Sequence, residues 1–286
     1  MEIVQFIPPN QRRLVMLAAE ADTAPVLIHG SSGTGKGAIA KWIHANSPRA
    51  TMPFVLADHD FPLIQQIPQA QGGTLYLAEI GEWPLSEQKI LLQLLETKSI
   101  PHHPQSEMKM LVNVRLMVTT SQSLEGRAQG GLFNGDLLQK LNVFRLEMPP
   151  LSKRSAEFEE IVLGLTEEIT RELHKEHVRA PSSEALSCLM GYEWPGNLRE
   201  LRNVLRLAVL SAKGDRIELS DLPDFGHDRV DFRATREEFE KTYIVELLKT
   251  FDWQIDVTCQ MTRMDKNTLL SKIKKYGIKR TETSIP

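Results

Sequence analysis

The stretch Gly30-Ser31-Ser32-Gly33-Thr34-Gly35-Lys36-Gly37 constrains this 286-residue chain more than any other. It follows a short apolar run, Val26 to His29, and leads into a segment, Lys36 to His44, whose apolar residues recur at helical spacing. Strand, glycine loop and helix in that order form the setting of a phosphate-binding loop. The glycines let backbone N–H groups converge on an anion at a helix N-terminus, and Lys36 adds a point charge for the β and γ phosphates. An ordinary Gly/Ser turn before a helix would not need the lysine. Position 37 departs from the pattern, because a Ser or Thr hydroxyl is expected there as a Mg²⁺ ligand and glycine has none.

Around this loop, apolar runs at Phe54 to Leu56, Thr74 to Leu77, Arg115 to Thr120 and Val143 to Glu147 read as strands. Ser86 to Glu96 and Leu132 to Leu141 carry the apolar spacing of helices. Alternation of this kind predicts an α/β fold with a largely parallel sheet and helices on both faces, ending at Pro149-Pro150. Strand signals then nearly vanish. Glu157 to His177, Ser182 to Met190 and Leu198 to Ser211 read as amphipathic helices, which predicts an all-helical subdomain. The stretch from Pro223 to Arg233, with Pro, Gly, His and several aspartates, is the best linker candidate. Three more helical patterns follow: Ala234 to Lys249, Ile255 to Met261 and Asp265 to Tyr276. The domain expectation is therefore an α/β nucleotide-binding part over 1–150, a helical part over 151–225, a linker over 226–233 and a helical C-terminal unit over 234–286.

Hydrophobic residues at 41% and charged residues at 25% are ordinary values for a globular chain, which excludes disordered and collagen-like classes. No leader pattern opens the sequence and no apolar run is long enough for a membrane span, so a cytoplasmic protein with no membrane partner is expected. The two cysteines, Cys188 and Cys259, have no metal-ligand spacing and are expected as reduced core thiols. No metal site is expected from them or from Asp58, His59 and Asp60, which read as a polar turn. His102-His103 reads as a loop pair, and Trp42 and Trp83 as packing residues. Net charge is −3, yet Met264 to Pro286 holds six basic residues against two acids, so a +4 end sits on a −7 body. A basic terminus on an acidic body suits double-stranded DNA.

With Gly73-Thr74-Leu75-Tyr76-Leu77-Ala78-Glu79-Ile80-Gly81-Glu82 added, the chain resembles the AAA+ P-loop NTPase domain of the sigma-54-dependent bacterial enhancer-binding proteins, the NtrC-like family. Leu141-Asn142-Val143-Phe144-Arg145-Leu146 with Pro149-Pro150-Leu151 is similar to that family's approach to its helical lid. Trp194-Pro195-Gly196-Asn197-Leu198-Arg199-Glu200-Leu201 is similar to its sensor II stretch. Asn267-Thr268-Leu269 with Lys274-Lys275-Tyr276-Gly277-Ile278 resembles its Fis-type helix-turn-helix. The resemblance implies binding of ATP or ADP by Gly30 to Gly37 and Arg199, and a place in transcription regulation.

The departures from the family fall on the positions that do chemistry. Ala78 stands where the resemblance expects the Walker B aspartate that helps hold Mg²⁺, so coordination of that ion is in doubt. Glu79 matches the residue that polarises the attacking water; here it is either a residual catalytic group or a solvated strand-end acid. Asn134 and Lys140 stand where arginine fingers would fall, and such fingers are typically worth ~10³ to 10⁵ in kcat. The sensor I position falls on Ser121 or Thr120. Eighteen residues separate Phe54 from Gly73, where the family has a longer segment with the GAFTGA loop that grips the sigma factor, and no such string occurs.

In the C-terminal unit, Phe239, Tyr243, Leu247 and Leu248 form one stripe, as in a helix packing on a partner helix, so a homodimer or higher oligomer is expected. Asp265 is placed to cap the last helix, with Leu269, Ile273 and Tyr276 inward. Lys266, Asn267, Thr268 and Ser271 then face outward near its N-terminal end, where a recognition helix meets base edges. Lys272, Lys274 and Lys275, with Lys279 and Arg280, suit phosphates.

The leading expectation is a DNA-binding regulator with a degenerate AAA+ domain that does not hydrolyse ATP efficiently and does not remodel sigma-54 polymerase, acting on RNA polymerase or on related regulators. One rival is a working ATPase activator of the sigma-54 type. Another is a ligand-sensing module, for example for a cyclic dinucleotide, or an antagonist of related regulators. The absence of a separate sensory module before Pro8-Pro9 leaves room for that last reading, since a signal must enter somewhere.

Overall fold

A computed structural model of the chain describes residues 6–101, 109–223 and 241–278, apart from 242, 246, 252 and 263 and the side chains of 260 and 262. The elements of the first region are α1 (Pro9–Glu20), β1 (Val26–Gly30), α2 (Lys36–Ala45), β2 (Phe54–Leu56), α3 (Leu63–Gln66), β3 (Thr74–Leu77) and α4 (Leu85–Thr97). They continue with β4 (Ser99–Pro101), β5 (Lys109–Leu111), β6 (Arg115–Thr120), α5 (Leu124–Gln129), α6 (Gly135–Leu141) and β7 (Phe144–Met148). Five of the strands form one parallel sheet in the order β2-β3-β6-β1-β7. Strand β6 thus separates β1 from β3, and the ends of all three meet at the loop that follows β1.

Alternate residues of each strand leave the sheet on opposite faces. Val26 and Ile28 of β1, Tyr76 of β3 and Met117 of β6 pack with Val15 of α1 and Ile39 and Ile43 of α2. Leu27, Leu75, Leu77, Leu116 and Val118 pack on the other face with Leu91 and Leu94 of α4 and Leu137 and Leu141 of α6. Each such fully buried aliphatic side chain stabilises the fold by about 1.5–3 kcal/mol.

Beyond β7 come α7 (Phe158–Glu172), β8 (Ala180–Pro181), α8 (Ser183–Met190), α9 (Asn197–Ser211) and β9 (Arg216–Ile217). This lid shares a core with the sheet: Phe158, Ile161, Leu165, Trp194, Leu201 and Leu205 join the cluster that holds Val26 and Ile28. Among the described C-terminal residues, helical positions between 241 and 250, helix Ile255–Thr262 and helix Lys266–Lys275 enclose a small core of Ile244, Leu248, Leu269 and Ile278.

Several expectations are corrected. The helix expected over Leu132 to Leu141 starts only at Gly135, because the Asn134 side chain accepts from Leu137 N at 2.9 Å and caps it there; the short α5 before it was not expected. The helix expected to reach His177 stops at Glu172, with His174 in the left-handed region at φ 53°. Lys175 then donates to the carbonyls of Val209 and Leu210 near the end of α9, at 3.2 and 2.6 Å. The lid is not purely helical, since β8 and β9 pair in parallel. Cys188 is exposed, because Ala185 and Leu189 take the buried stripe of α8, and Cys259 is half-buried. No helix of the described residues is long and apolar enough to cross a membrane. His102-His103, Phe239, Lys279 and Arg280, and the linker residues beyond Pro223, lie outside the described residues.

Candidate nucleotide cleft

A cleft of about 550 Å³ lies between the sheet and the lid. It is lined by the loop and the strand ends, from Ser32 to Ala38 with Tyr76, Ala78, Glu79 and Thr119, and by the apolar side chains of Phe6, Ile39, Leu165 and Leu198. The loop is built as the glycines require. Gly33 and Gly35 sit at φ 80° and 88°, in the region that favours glycine, and α2 starts directly after them. Thr34 closes the loop on itself, its hydroxyl donating to Ser31 O at 2.8 Å.

The lid presses directly on this loop. A Cβ at Gly33 would lie 2.1 Å from Gly196 O. Arg199 N donates to Gly33 O at 3.2 Å. Asn197, buried and left-handed at φ 55°, donates to Ser32 O at 2.9 Å and accepts from Leu151 N at 2.8 Å. The Arg199 guanidinium reaches Ser32 Oγ at 3.5 Å, beside the loop. Further along, Arg202 pairs with Glu168 at 3.0 Å.

Lys36 is 8% exposed and donates to Gly30 O at 2.6 Å and Ser31 O at 3.1 Å, with Glu79 Oε1 at 3.3 Å. Glu79 is in the left-handed region at φ 46°, a conformation that a non-glycine residue holds only when its surroundings enforce it. The enforcement is visible: its other carboxylate oxygen accepts from Ser121 N at 2.6 Å and Ser121 Oγ at 2.8 Å. Ser121 is thus the polar group on Glu79, whereas Thr120 turns inward, its hydroxyl donating to Gln122 O at 3.1 Å. The placement follows from the strand order, since β6 ends between the loop and β3.

The residues present do not fit Mg²⁺, which takes oxygen ligands in near-octahedral array. Position 37 offers no oxygen and position 78 a methyl group. The space beside Gly37 belongs to Tyr76, whose hydroxyl oxygen lies 3.2 Å from where a Cβ at 37 would sit. That hydroxyl is hydrogen-bonded to Thr119 Oγ1 at 3.2 Å. Burial raises the Tyr76 pKa above the ordinary phenol value, so the group is neutral around pH 7. Among the described residues no cluster of three or more His, Cys, Asp or Glu side chains could hold a metal.

Asp58, His59 and Asp60 form a polar turn, with Asp60 N donating to Asp58 Oδ1 at 3.0 Å and the His59 ring tilted against Trp83 at 4.1 Å between centroids. Trp83 is a packing residue, buried with its Nε1 on Ala78 O at 3.1 Å. Asn134 is consumed as a helix cap, and Lys140 is exposed in the last turn of α6. The sequence reading assigned no role to Tyr76, Thr119 or Asn197. Tyr76 carried one available signal, a phenol hydroxyl between two leucines of a strand that ends beside a loop short of one.

At the C-terminal unit, Asp265 caps the last helix, accepting from Asn267 N at 2.9 Å and Thr268 N at 3.1 Å. Leu269 is buried, while Lys266, Asn267, Thr268, Ser271, Lys274 and Lys275 are exposed; Lys272 is half-buried. Lys266 is tied to Asp256 at 2.5 Å, which raises its pKa.

A parallel sheet with β6 between β1 and β3, a phosphate loop after β1 and a helical lid resting on that loop define an AAA+ P-loop NTPase fold. Residues 10–151 match the Sigma-54 interaction domain and residues 152–238 the AAA+ ATPase lid domain. The chain belongs to the family of sigma-54 enhancer-binding regulators. It is 33% identical to the alginate biosynthesis transcriptional regulatory protein AlgB of Pseudomonas syringae, over 89% of this chain and 62% of that one. It is 35% identical to the DNA-binding transcriptional regulator NtrC of Escherichia coli, over 69% and 47% of the respective chains. The chain therefore spans 62% or less of these curated relatives. The crystal structure of NtrX from Brucella abortus in complex with ADP is similar over 94% of this chain and 68% of that one, with a TM-score of 0.66 and 27% identity.

Proposed function

We propose that the chain is a sequence-specific DNA-binding transcription regulator whose AAA+ domain holds ATP or ADP and does not turn it over efficiently. The observation that carries this reading is the contrast within one cleft. The anion cradle of Gly33, Gly35, Lys36 and Arg199 is assembled, whereas the positions that would order a metal carry Gly37 and Ala78. The apolar lining supplied by Phe6, Ile39, Leu165 and Leu198 suits a flat base. The NtrX relative has been solved with ADP and with ATP, which supports a nucleotide here. The short connection between β2 and β3 supports action without remodelling of a sigma-54 polymerase. The rival reading, an active ATPase of the sigma-54 type, draws on the convergence of Lys36, Glu79, Ser121 and Arg199. A lone base without an ordered γ phosphate contributes little, which favours the first reading.

The DNA reader is assigned to helix Lys266–Lys275, with Lys266, Asn267, Thr268 and Ser271 toward base edges and Lys272, Lys274 and Lys275 toward phosphates. The protein acts as a homodimer or higher oligomer in this reading, and RNA polymerase or related regulators are its protein partners. Each phosphate contact contributes about 0.9 to the slope of log K against log salt, so replacing Lys274 and Lys275 by alanine is expected to lower that slope by about 2. Fluorescence anisotropy on a promoter fragment over a salt series measures it; an unchanged slope would place the reader elsewhere.

A further inference from the structure

The departure at position 37 belongs to a connected unit of Tyr76, Thr119, Glu79 and Lys36. A side chain at position 37 would crowd the Tyr76 hydroxyl, whose oxygen is 3.2 Å from the site of a Cβ there. The hydroxyl therefore stands in tight contact with any side chain that position 37 would carry. It is held there by Thr119, whose Oγ1 also faces Glu79 N at 3.4 Å. Glu79 cannot swing away, because Ser121 N and Oγ grip one oxygen while Lys36 faces the other. The Lys36 ammonium already donates to Gly30 O and Ser31 O and is ion-paired with Glu79 at 3.3 Å.

An anion held by the loop amides, Lys36 and Arg199 is served without help from a cation as far as a diphosphate. A third phosphate reaching Lys36 would meet the fixed Glu79 carboxylate with no divalent charge between them, and like charges at such range repel. We propose that the cleft is a divalent-cation-independent nucleoside diphosphate site, in which the Tyr76 hydroxyl replaces the loop hydroxyl and Glu79 selects against a third phosphate. The proposal rests on the reading of this cleft as a nucleotide site.

Calorimetry on the full chain, with ADP and ATP each titrated in EDTA and in Mg²⁺, tests it. ADP is expected to bind with affinities within about twofold in the two buffers, and ATP about tenfold or more weaker than ADP in both. Glu79→Gln should bring ATP close to ADP. Tyr76→Phe should weaken ADP about tenfold in EDTA, as loss of a hydrogen bond to a charged group does, with thermal unfolding followed alongside to show that the fold is kept. ADP binding that disappears in EDTA and returns with Mg²⁺ overturns the proposal and leaves the nucleotide reading standing. ATP binding equal to ADP in wild type and indifferent to Glu79→Gln also overturns it. Failure of both nucleotides in both buffers overturns the nucleotide reading itself, and the proposal with it.

Discussion

Trp194→Ala is expected to lower folding stability by about 3–5 kcal/mol, the cost of emptying a large buried aromatic site. Trp194 is 2% exposed and lies within the core that joins the sheet to the lid. Its ring meets Tyr192 edge-on at 5.0 Å and Phe158 at 6.3 Å, and its Nε1 donates to Leu189 O at 2.9 Å. Removing the ring takes away the anchor on which the Trp194-Pro195-Gly196-Asn197 turn rests, so the lid should loosen first. Trp194→Phe keeps most of the volume and removes the indole hydrogen bond to Leu189 O, which should limit the loss to about 1–2 kcal/mol. Urea denaturation of the two variants checks this; equal losses would show that the hydrogen bond rather than packing dominates.

The second large effect concerns Gly33. Alanine there would be left-handed at φ 80°, and its methyl carbon would lie 2.1 Å from Gly196 O, a backbone atom that cannot move aside cheaply. Strain and overpacking together predict a loss of about 2–5 kcal/mol for Gly33→Ala. The loop can relieve the clash only by parting from the lid, which breaks the Asn197 bond to Ser32 O and the Arg199 bond to Gly33 O. Thermal unfolding and nucleotide calorimetry should therefore fail together. A variant that melts within a degree or two of the parent would show that lid and loop are not coupled in this way.

The sheet strands were legible because each is a short apolar run bounded by turn residues, and β1, β2, β3, β6 and β7 fall within one residue of the expected limits. The phosphate loop was legible because the glycine and lysine spacing has few other uses. What escaped the sequence reading depends on contacts between distant segments. Asn197 acts through Ser32 and Leu151, 165 and 46 positions away. Tyr76 acquires its role only because β6 brings Thr119 beside it and α2 begins with a glycine in front of it. The buried Arg49, which donates to Asp22, Gly73 O and Asn113 to tie the loops at one edge of the sheet, had no local pattern to mark it. Cys188 was misplaced because a helix of eight residues shows its buried stripe through only two positions, Ala185 and Leu189.

Asn134 shows the limit from the other direction. Its identity suggested a lost arginine, and the structure adds a local use for the replacement, a helix cap on α6 with Leu137 N. The side chain that would reach toward a neighbour is instead folded back onto its own helix.

Steady-state ATP hydrolysis by the purified full chain in Mg²⁺, run beside calorimetric nucleotide binding on the same preparation, is the most direct test of a cleft that holds nucleotide without turning it over. The expected result is binding that is lost in Lys36→Ala, with hydrolysis indistinguishable between wild type and that variant. Turnover near about one per second in the wild type that vanishes in Lys36→Ala would contradict it.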